Sequence, residues 1–365
     1  MTTIPLSYLV NIAGLLLGMA FGATVQRSGF CTMGAISDWV LMGETSRLRS
    51  WGLAIAVAML GSQLLHLSGL IDLRASIYAG PSLGWLGAAL GGLLFGFGMV
   101  QAGGCGNRTL ARLGAGNLKS LLVVLMIGLS GYITLRGLLG PARVWLDRWS
   151  AIDLKAHGIS GQALPDLLGN VADPLLLRWL FGLGLPALLL LWAFRDARFR
   201  GKPVLIAAGV IVGLVIVAGW AATGILGADD FDPTPLASMT FVAPIGAALQ
   251  YLMTFTGMKL DFGISSVGGV ILGAFLMAKH DGTFRLEGFT SANDMLSHLL
   301  GGILMGIGGV LALGCTVGQG LTGLGTLALG SFVAVAGIVI GGILGVRYLE
   351  EGSLPGALRA LFARG

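Results

Sequence analysis

The sequence has little charge, few cysteines and no residue groups of the kinds that metal binding or hydrolysis requires. Charged residues make up 11% of its 365 residues, whereas roughly 25% is usual in a soluble domain. The three cysteines lie far apart and form no CxxC pair, which argues against a disulfide framework and against a zinc or iron site. The four histidines share no metal-ligand spacing, and neither a Ser/His/Asp set nor a phosphate-binding loop is present. We therefore predict free thiols, no cofactor, no enzymatic activity and, at a net charge of +5, no nucleic-acid partner.

Hydrophobic residues and glycine are the abundant classes. Hydrophobic residues make up 55% of the chain, and the mean hydropathy is +0.88. Glycine contributes 62 of the 365 residues, against about 7% in ordinary proteins, and glycine inside apolar segments lets helices pack backbone to backbone. This composition predicts an all-α polytopic membrane protein whose main surroundings are a lipid bilayer.

The apolar runs predict about nine transmembrane helices plus re-entrant half helices. Runs of about 20 residues, the length that crosses a bilayer, lie near residues 6–26, 51–71, 83–103, 118–140, 176–194, 203–222, 237–256, 296–314 and 329–348. Four apolar stretches are too short to cross, namely 30–43, 105–116, 262–278 and 316–327. Such stretches survive at membrane depth only where protein or a cavity shields them.

Charge in the polar breaks predicts the orientation of the chain. The most basic break, RDARFRGKP, covers residues 195–203, and the most acidic contains Asp229, Asp230 and Asp232. Because positive charge stays in the cytoplasm, we predict residues 195–203 inside, the acidic loop outside, and residues 349–365 as a short cytoplasmic C-terminal tail. The N-terminus lacks a basic leader and a small-residue cleavage site, so it is interpreted as a retained span.

Internal repetition divides the predicted single membrane domain, residues 1–365, into two pseudo-symmetric halves. GGLLFGFGMVQAGGC ends at Cys105 and aligns without gaps on GGILMGIGGVLALGC, which ends at Cys315. The predicted parts are a first half at 1–140, a polar connection at 141–175, a linking span at 176–202 and a second half at 203–348. Two related halves around a midplane site are the usual plan of a transporter built from repeats.

All three cysteines share one glycine frame, with glycines thirteen and nine residues upstream. The frames are Gly18, Gly22 and Cys31; Gly92, Gly96 and Cys105; Gly302, Gly306 and Cys315. Aligning SGFCTMGAIS on TGMKLDFGIS adds a fourth unit, in which Lys259 takes the cysteine position. The repetition predicts one pathway built from equivalent positions, although duplication could also copy an inert buried cysteine.

The predicted chemistry is that of a soft anion site. Each cysteine ends a full span and begins a half helix, whose unpaired amides and positive dipole end favour an anion. A thiol is a weak donor and a weak acceptor, which suits a sulfur anion that has to keep moving. The candidates for attracting the anion or for backbone contact are Arg27, Gly29, Gly104, Asn107, Arg108, Lys259, Gly314 and Thr316. For the arginines the alternative is anchoring at the membrane interface, and for Asp38 a structural ion pair is the expected role.

The strings GGCGNRTLARLGAGNLKSL around Cys105, QRSGFC at Cys31 and LGC at Cys315 resemble the YeeE/YedE sulfur-transport family over nearly the whole chain. The first string is similar to the thiosulfate-permease type more than to the selenium-associated branch. The resemblance implies thiosulfate uptake across a bacterial inner membrane through an hourglass-shaped protein, with the three cysteines marking the path. It also implies a small cytosolic sulfurtransferase-like partner.

Three functional hypotheses stay open at this point. The first is a thiosulfate permease that passes the anion from thiol to thiol by hydrogen bonds, without covalent change. The second is a membrane sulfurtransferase or redox enzyme that carries a cysteine persulfide, which a half-helix N-terminus favours but the lack of a resolving CxxC and of an acid–base partner disfavours. The third is a transporter of sulfite, sulfide or a selenium species, since a path of glycines and thiols fits several soft anions.

Overall fold

The computed structural model describes residues 5–169, 173–229 and 234–362, which form sixteen α-helices and one two-stranded sheet. The helices are α1 Leu6–Ser28, α2 Thr32–Met42, α3 Ser46–Leu67, α4 Trp85–Gln101, α5 Gly106–Gly114, α6 Leu118–Arg136, α7 Gly140–Ser150, α8 Leu164–Leu167, α9 Pro174–Phe194, α10 Ala197–Arg200, α11 Pro203–Ala221, α12 Val242–Met253, α13 Phe262–His280, α14 Ala292–Leu311, α15 Leu329–Glu351 and α16 Leu354–Phe362. Strands β1 Ser82–Leu83 and β2 Ile152–Asp153 pair antiparallel. The π-helical turns are Ala222–Leu226 and Gly318–Gly323.

Nine helical segments within the described ranges are long and apolar enough to cross a membrane. They contain α1, α3, α4, α6, α9, α11, α13, α14 and α15. The predicted number of spans and the all-α class are therefore confirmed, and the protein is a multi-pass membrane protein.

Two predicted segments exchange their roles. Residues 237–256, predicted as a full span, contain only the 12-residue helix α12, because residues 234–241 precede it as irregular chain. Residues 262–278, predicted as a half helix, belong to the 19-residue span α13. This helix begins where Asp261 accepts a hydrogen bond from the Ile264 amide at 2.8 Å, and it extends to His280. The prediction was wrong for both segments.

The other three predicted half helices are confirmed as short helices after the cysteines. Cys31 precedes the 11-residue α2, and Cys105 precedes the 9-residue α5. Cys315 precedes a short helix over residues 316–325, which contains the turns Gly318–Gly323. We call these three elements, together with α12, the short helices.

Glycines bring the spans together in parallel pairs. On α1, a Cβ atom at Gly18 would overlap the Ser266 carbonyl oxygen of α13. On α4, a Cβ atom at Gly96 would overlap the Ile338 carbonyl oxygen of α15. Close contact between backbones is what small residues permit in a membrane, so the prediction that glycines inside the apolar segments let helices pack backbone to backbone is confirmed.

The pairs α4 with α15 and α14 with α6 use equivalent positions of the sequence repeat. Gly96 packs on Ile338, and its repeat partner Gly306 packs on Ile127, with a Cβ at Gly306 lying 2.6 Å from the Ile127 carbonyl oxygen. Ile127 and Ile338 are themselves equivalent once the one inserted residue between the repeats is counted. Helices α4 and α14 run antiparallel, because Gly91 meets Gly308 while Gly98 meets Gly301. The reciprocal contacts are those expected of two inverted, related units, although the boundaries 1–140 and 203–348 stay a prediction.

The same reciprocity identifies the fourth unit. Gly209 and Gly213 of α11 pack on Ser50 and Ala54 of α3. In the same way, Gly18 of α1 packs on α13, so the pair α11 with α3 is the counterpart of the pair α1 with α13. The fourth unit therefore consists of span α11, short helix α12 and span α13. Its position directly before the short helix is Phe241 and not Lys259. The sequence alignment missed this because a long connection separates α11 from α12.

Two regions of the chain identify the ends of the bundle. Residues 195–203 lie beside the α2–α3 connection and the start of α3, where Lys202 pairs with Glu44 at 3.6 Å and Asp196 pairs with Arg49 at 3.5 Å. We call this the basic end. The described part of the predicted connection 141–175 folds over the opposite, far end through α7, β2 and α8, and the Leu164 amide donates to the Leu327 carbonyl at 3.0 Å. Asp230 and Asp232 lie outside the described residues.

Candidate functional site

The three thiols are buried at the first turns of short helices. Cys31 and Cys105 are the residues directly before α2 and α5, and both have extended ψ angles that turn the chain into the helix. Cys315 accepts a hydrogen bond from the Gly318 amide at 3.4 Å. The exposed fractions of the three residues are 5%, 0% and 0%. Because unpaired amides and the helix dipole give each N-terminus positive character, all three sulfurs lie at electropositive, water-excluded positions.

Cys31 and Cys105 form a thiol pair, with their sulfur atoms 3.7 Å apart. The Cys105 thiol donates to Asn107 Oδ1 at 2.7 Å, so Cys31 is the donor between the two sulfurs. Backbone amides at the first turns of the short helices also interact with both sulfurs, which are weak acceptors. The predicted free thiols are confirmed, since all three cysteines are reduced.

Cys315 lies on the other side of the centre, where Phe241 takes the place of a fourth cysteine. The Phe241 amide interacts with the Cys315 sulfur, and the Phe241 ring packs on Phe21 with centroids 5.3 Å apart. The Tyr78 side chain interacts with Thr240 and with Cys315. Burial raises the pKa of Tyr78, so its phenol stays neutral.

The short helices of the three cysteines run away from the centre in opposite directions. Helix α2 ends near Glu44 and Lys202 at the basic end, whereas the 316–325 helix ends beside Leu327 at the far end. Their N-termini therefore converge at the middle of the bundle, with the thiol pair on the basic side and Cys315 on the far side. Helix N-termini that face the middle of the bundle from both ends favour an anion there.

The structure brings Arg108 to the thiol pair. Its Nη1 atom donates to the Val25 carbonyl oxygen at 3.0 Å, which holds the half-buried side chain across the end of α1. Its charge interacts with Cys31 and Cys105. Arg27, in contrast, is exposed and lines a cavity of about 420 Å³ at the basic end together with Pro203.

The glycines predicted for backbone contact lie at the turns before the short helices. Gly29 ends α1 with a φ of 66°, a left-handed conformation that glycine adopts at low cost. A Cβ atom on Gly104 would lie 3.4 Å from Arg108 Cγ, and one on Gly314 would lie 3.2 Å from the Gln319 amide nitrogen. Of the three positions, only Gly314 is closely packed by the short helix that follows it.

Lys259 is not part of this centre. It is exposed in the connection between α12 and α13, where the neighbouring Leu260 carbonyl accepts a hydrogen bond from Asn11 at 2.9 Å. Asn11 lies in the first part of α1, and Arg27 lies at the other end of the same helix. The prediction that Lys259 begins a half helix was wrong, because the 19-residue span α13 follows it.

Arg47 is a basic residue at the site that sequence reasoning missed. Its Nε atom lies 3.4 Å from Asp38 Oδ2, which confirms the ion pair expected for Asp38. A Cβ atom on Gly34 would lie 2.8 Å from Arg47 Nη1, so the guanidinium covers the first turn of α2. Hydrogen bonds from the hydroxyl and amide of Ser46 hold the pKa of Glu44 at about 2, and this carboxylate fixes the start of α3 that carries Arg47. The sequence signal that could have indicated Arg47 is its position at the start of α3, directly after the short helix α2 that follows Cys31.

The nine candidate spans in the described part of the chain define the class as a multi-pass membrane protein. A sequence profile of the sulphur transport family matches residues 27–344, so the chain belongs to this family.

Two curated relatives cover nearly the whole chain. The "Thiosulfate transporter TsuA" of Spirochaeta thermophila is 28% identical over 341 residues, which are 90% of this chain and 96% of the relative. The protein of the same name from Escherichia coli is 24% identical over 90% of this chain and 92% of its own length. The "Probable transporter YedE" of Escherichia coli is 33% identical over 93 residues, or 25% of this chain and 21% of the relative. The full-length similarity is thus to proteins named for thiosulfate.

Proposed function

We propose that this protein is a transporter that takes up thiosulfate across a bacterial inner membrane. The observation that supports it most is the placement of three reduced, buried thiols at the N-termini of three short helices that converge from both ends of the bundle. Membership of the sulphur transport family and the names of the two full-length relatives agree with this proposal.

The helix ends provide the charge that the anion requires. Moving an isolated anion into an apolar interior costs many kcal/mol unless it is paired, and each helix N-terminus carries the equivalent of about half a positive charge. Arg108 and Arg47 add full charges on the basic side of the thiol pair. Because these charges are spread along the path, no single position holds the anion too tightly for release.

The thiols provide contacts to the outer sulfur of thiosulfate. In our proposal the anion passes Cys315, then Cys105 and Cys31, by hydrogen bonds between thiol and sulfur and without covalent change. In the same proposal Gly29, Gly104 and Gly314, which lie in the turns before the thiols, contact the anion through their backbone, and Asn107 and Thr316 lie in the first turns. The anion leaves past Arg108, Arg47 and Arg27 at the basic end, which positive charge predicts to be cytoplasmic. The small sulfurtransferase-like partner remains a prediction for this end, and anion attraction by Lys259 remains one for the far end.

Uptake of radiolabelled thiosulfate by cells without other sulfur routes tests the proposal. Cys105→Ala and Cys315→Ala are both expected to lose most uptake at unchanged membrane abundance. Normal uptake by both variants would mean that the thiol path is wrong. Growth of the same cells on thiosulfate, sulfite, sulfide or a selenium species would distinguish the alternative cargoes.

Sulfur transfer is a second candidate because one observation favours it. Cys31 lies 3.7 Å from Cys105, so the pair supplies the resolving thiol that a CxxC motif would otherwise provide. In this alternative a thiolate attacks the outer sulfur, the S–S bond of thiosulfate breaks, sulfite leaves and a persulfide remains. Attack of the second thiol on the persulfide would then release hydrosulfide and leave a disulfide. Intact-mass measurement after turnover without reductant decides, since a gain of one sulfur atom or a loss of two hydrogen atoms supports transfer and an unchanged mass supports transport alone.

A further inference from the structure

The residues just after each cysteine carry buried polar atoms without a partner. Twelve buried side-chain nitrogen or oxygen atoms lack a hydrogen bond within the described residues. Three of them are Thr32 Oγ1, Asn107 Nδ2 and Thr316 Oγ1, which follow Cys31, Cys105 and Cys315 by one or two positions. Buried polar groups are nearly always paired, so three orphaned groups at three equivalent sites point to a ligand.

The threonine hydroxyls are orphaned because of where they lie in their helices. A threonine inside a helix pairs its hydroxyl with the carbonyl four residues back, as Thr109 does with Cys105 at 3.0 Å. Thr32 and Thr316 are the first helical residues, and no helical carbonyl precedes them by four positions. Thr316 is only 2% exposed, so water does not replace the missing partner from the protein surface.

The Asn107 amide is fixed with its donor side unused. Its Oδ1 atom accepts the Cys105 thiol proton at 2.7 Å, which sets the orientation of the amide group. The Nδ2 atom, with two protons to donate, has no partner, and the residue is 0% exposed. Asn107 therefore combines a contact to the thiol with an unused donor.

The residues that carry two of these donors flank a common, apolar cavity, and the donor atoms lie buried behind its wall. Thr32 and Thr316 belong to the wall of a cavity of about 260 Å³, together with Trp51, whose Nε1 donor is also unpartnered. The first turns that follow Cys31 and Cys315 thus meet at the same space. Apolar side chains of α3, α9 and α15 complete the wall, and hydrogen bonds to a charged oxygen are stronger in such surroundings.

We propose that Thr32, Asn107 and Thr316 bind the sulfonate oxygens of the anion while the thiols contact its outer sulfur. This inference rests on the proposed function and specifies how that site recognises its substrate. Thiosulfate has one soft sulfur end and three oxygen atoms at the other end. Each of the three cysteine positions offers a sulfur contact next to a donor that can bind an oxygen atom. An anion without oxygen, such as hydrosulfide, uses the thiols alone, so the three polar side chains determine selectivity for thiosulfate over hydrosulfide.

The test compares Thr316→Val and Thr32→Val with Thr316→Ser and Thr109→Val. Valine keeps the shape of threonine and removes the hydroxyl, serine keeps the hydroxyl, and Thr109 is a matched control whose hydroxyl is satisfied inside its own helix. The measurements are the KM for radiolabelled thiosulfate in proteoliposomes and the concentration of unlabelled hydrosulfide that halves uptake. Both quantities are independent of how much protein inserts into the membrane.

We expect Thr316→Val and Thr32→Val to raise the thiosulfate KM about tenfold, the effect of one lost hydrogen bond to a charged group. Hydrosulfide is then expected to compete about tenfold better relative to thiosulfate, while Thr109→Val behaves as wild type and Thr316→Ser has a lower thiosulfate KM than Thr316→Val. Equal selectivity in the valine variants and the Thr109→Val control would overturn this inference. Failure of the wild-type protein to take up thiosulfate would instead overturn the proposed function.

Discussion

On the basic side of the centre Cys31 and Cys105 lie 3.7 Å apart, whereas on the far side Cys315 faces the backbone of Phe241. The helices around the two sides pack reciprocally, and each side has two short-helix N-termini. The backbone plan is therefore the same, and the difference lies in the side chains. Two thiols and two guanidinium groups lie on one side, and one thiol and one aromatic ring lie on the other. The comparison indicates that helix ends make the path suitable for an anion and that side chains give it a direction.

The largest expected effect comes from joining the two thiols of the basic side. A disulfide brings its sulfur atoms to about 2.05 Å, so the 3.7 Å pair needs only a small movement. Mild oxidation with copper phenanthroline is expected to abolish thiosulfate uptake, because both thiol contacts and the donor to Asn107 are lost together. Dithiothreitol is expected to restore uptake.

Variants of single cysteines locate this effect. Oxidation should lower the intact mass by two hydrogen atoms in wild type and in Cys315→Ala, but not in Cys31→Ala or Cys105→Ala. If oxidation still abolishes uptake by Cys31→Ala, the group that is sensitive to oxidation lies elsewhere. That result would contradict the asymmetry of the two sides.

Single thiol removals are expected to differ between the sides. Losing a hydrogen bond to a charged group reduces binding by roughly ten- to a hundredfold. Cys315→Ala is expected near the upper value, because Phe241 offers no second thiol there. Cys31→Ala is expected near tenfold, since Cys105 remains 3.7 Å away from the lost sulfur. Initial rates of uptake normalised to membrane abundance measure both, and equal losses would show that the pair does not act as two contacts.

Much of this arrangement could be predicted from the sequence, because it depends on local pattern. Eight of the nine spans in the described residues follow from apolar length, and the short helices after Cys31, Cys105 and Cys315 follow from apolar runs too short to cross. The gapless repeat of residues 91–105 on 301–315 correctly indicated equivalent contacts.

The fourth unit was not predictable in the same way. A 10-residue alignment favoured Lys259, whereas the structural equivalent Phe241 is separated from its span α11 by a connection of irregular chain. Gly209 and Gly213, four residues apart like the glycines of the other frames, were the available signal. Arg47 could not be assigned either, because its contact with the first turn of α2 depends on how α3 packs.

A smaller effect is expected from Arg47, which tests whether the guanidinium groups set the direction of the path. Arg47→Gln is expected to raise the thiosulfate KM about three- to tenfold, since a partly exposed charge contributes modestly. The effect should shrink at high salt because salt screens exposed charges. Arg198→Gln is the control, since Arg198 is exposed at the same end, in the four-residue helix α10. If both variants raise the KM equally, Arg47 acts only as one of several surface charges and has no specific role in the path.

The smallest expected effect concerns the helix packing that makes the two sides comparable. Gly96→Ala and Gly306→Ala each force a methyl group against the carbonyl oxygen of the equivalent residue, Ile338 or Ile127. Overpacking of this kind costs typically 1–3 kcal/mol, so both variants should melt at lower temperature in detergent, by similar amounts. Gly184→Ala is the matched control, because a Cβ atom there meets no other atom within 4 Å, and alanine is the better helix former. If Gly96→Ala and Gly306→Ala differ strongly, the two helix pairs are not energetically equivalent, and the contrast between the thiol pair and Cys315 would then arise from the backbone as well as from the side chains.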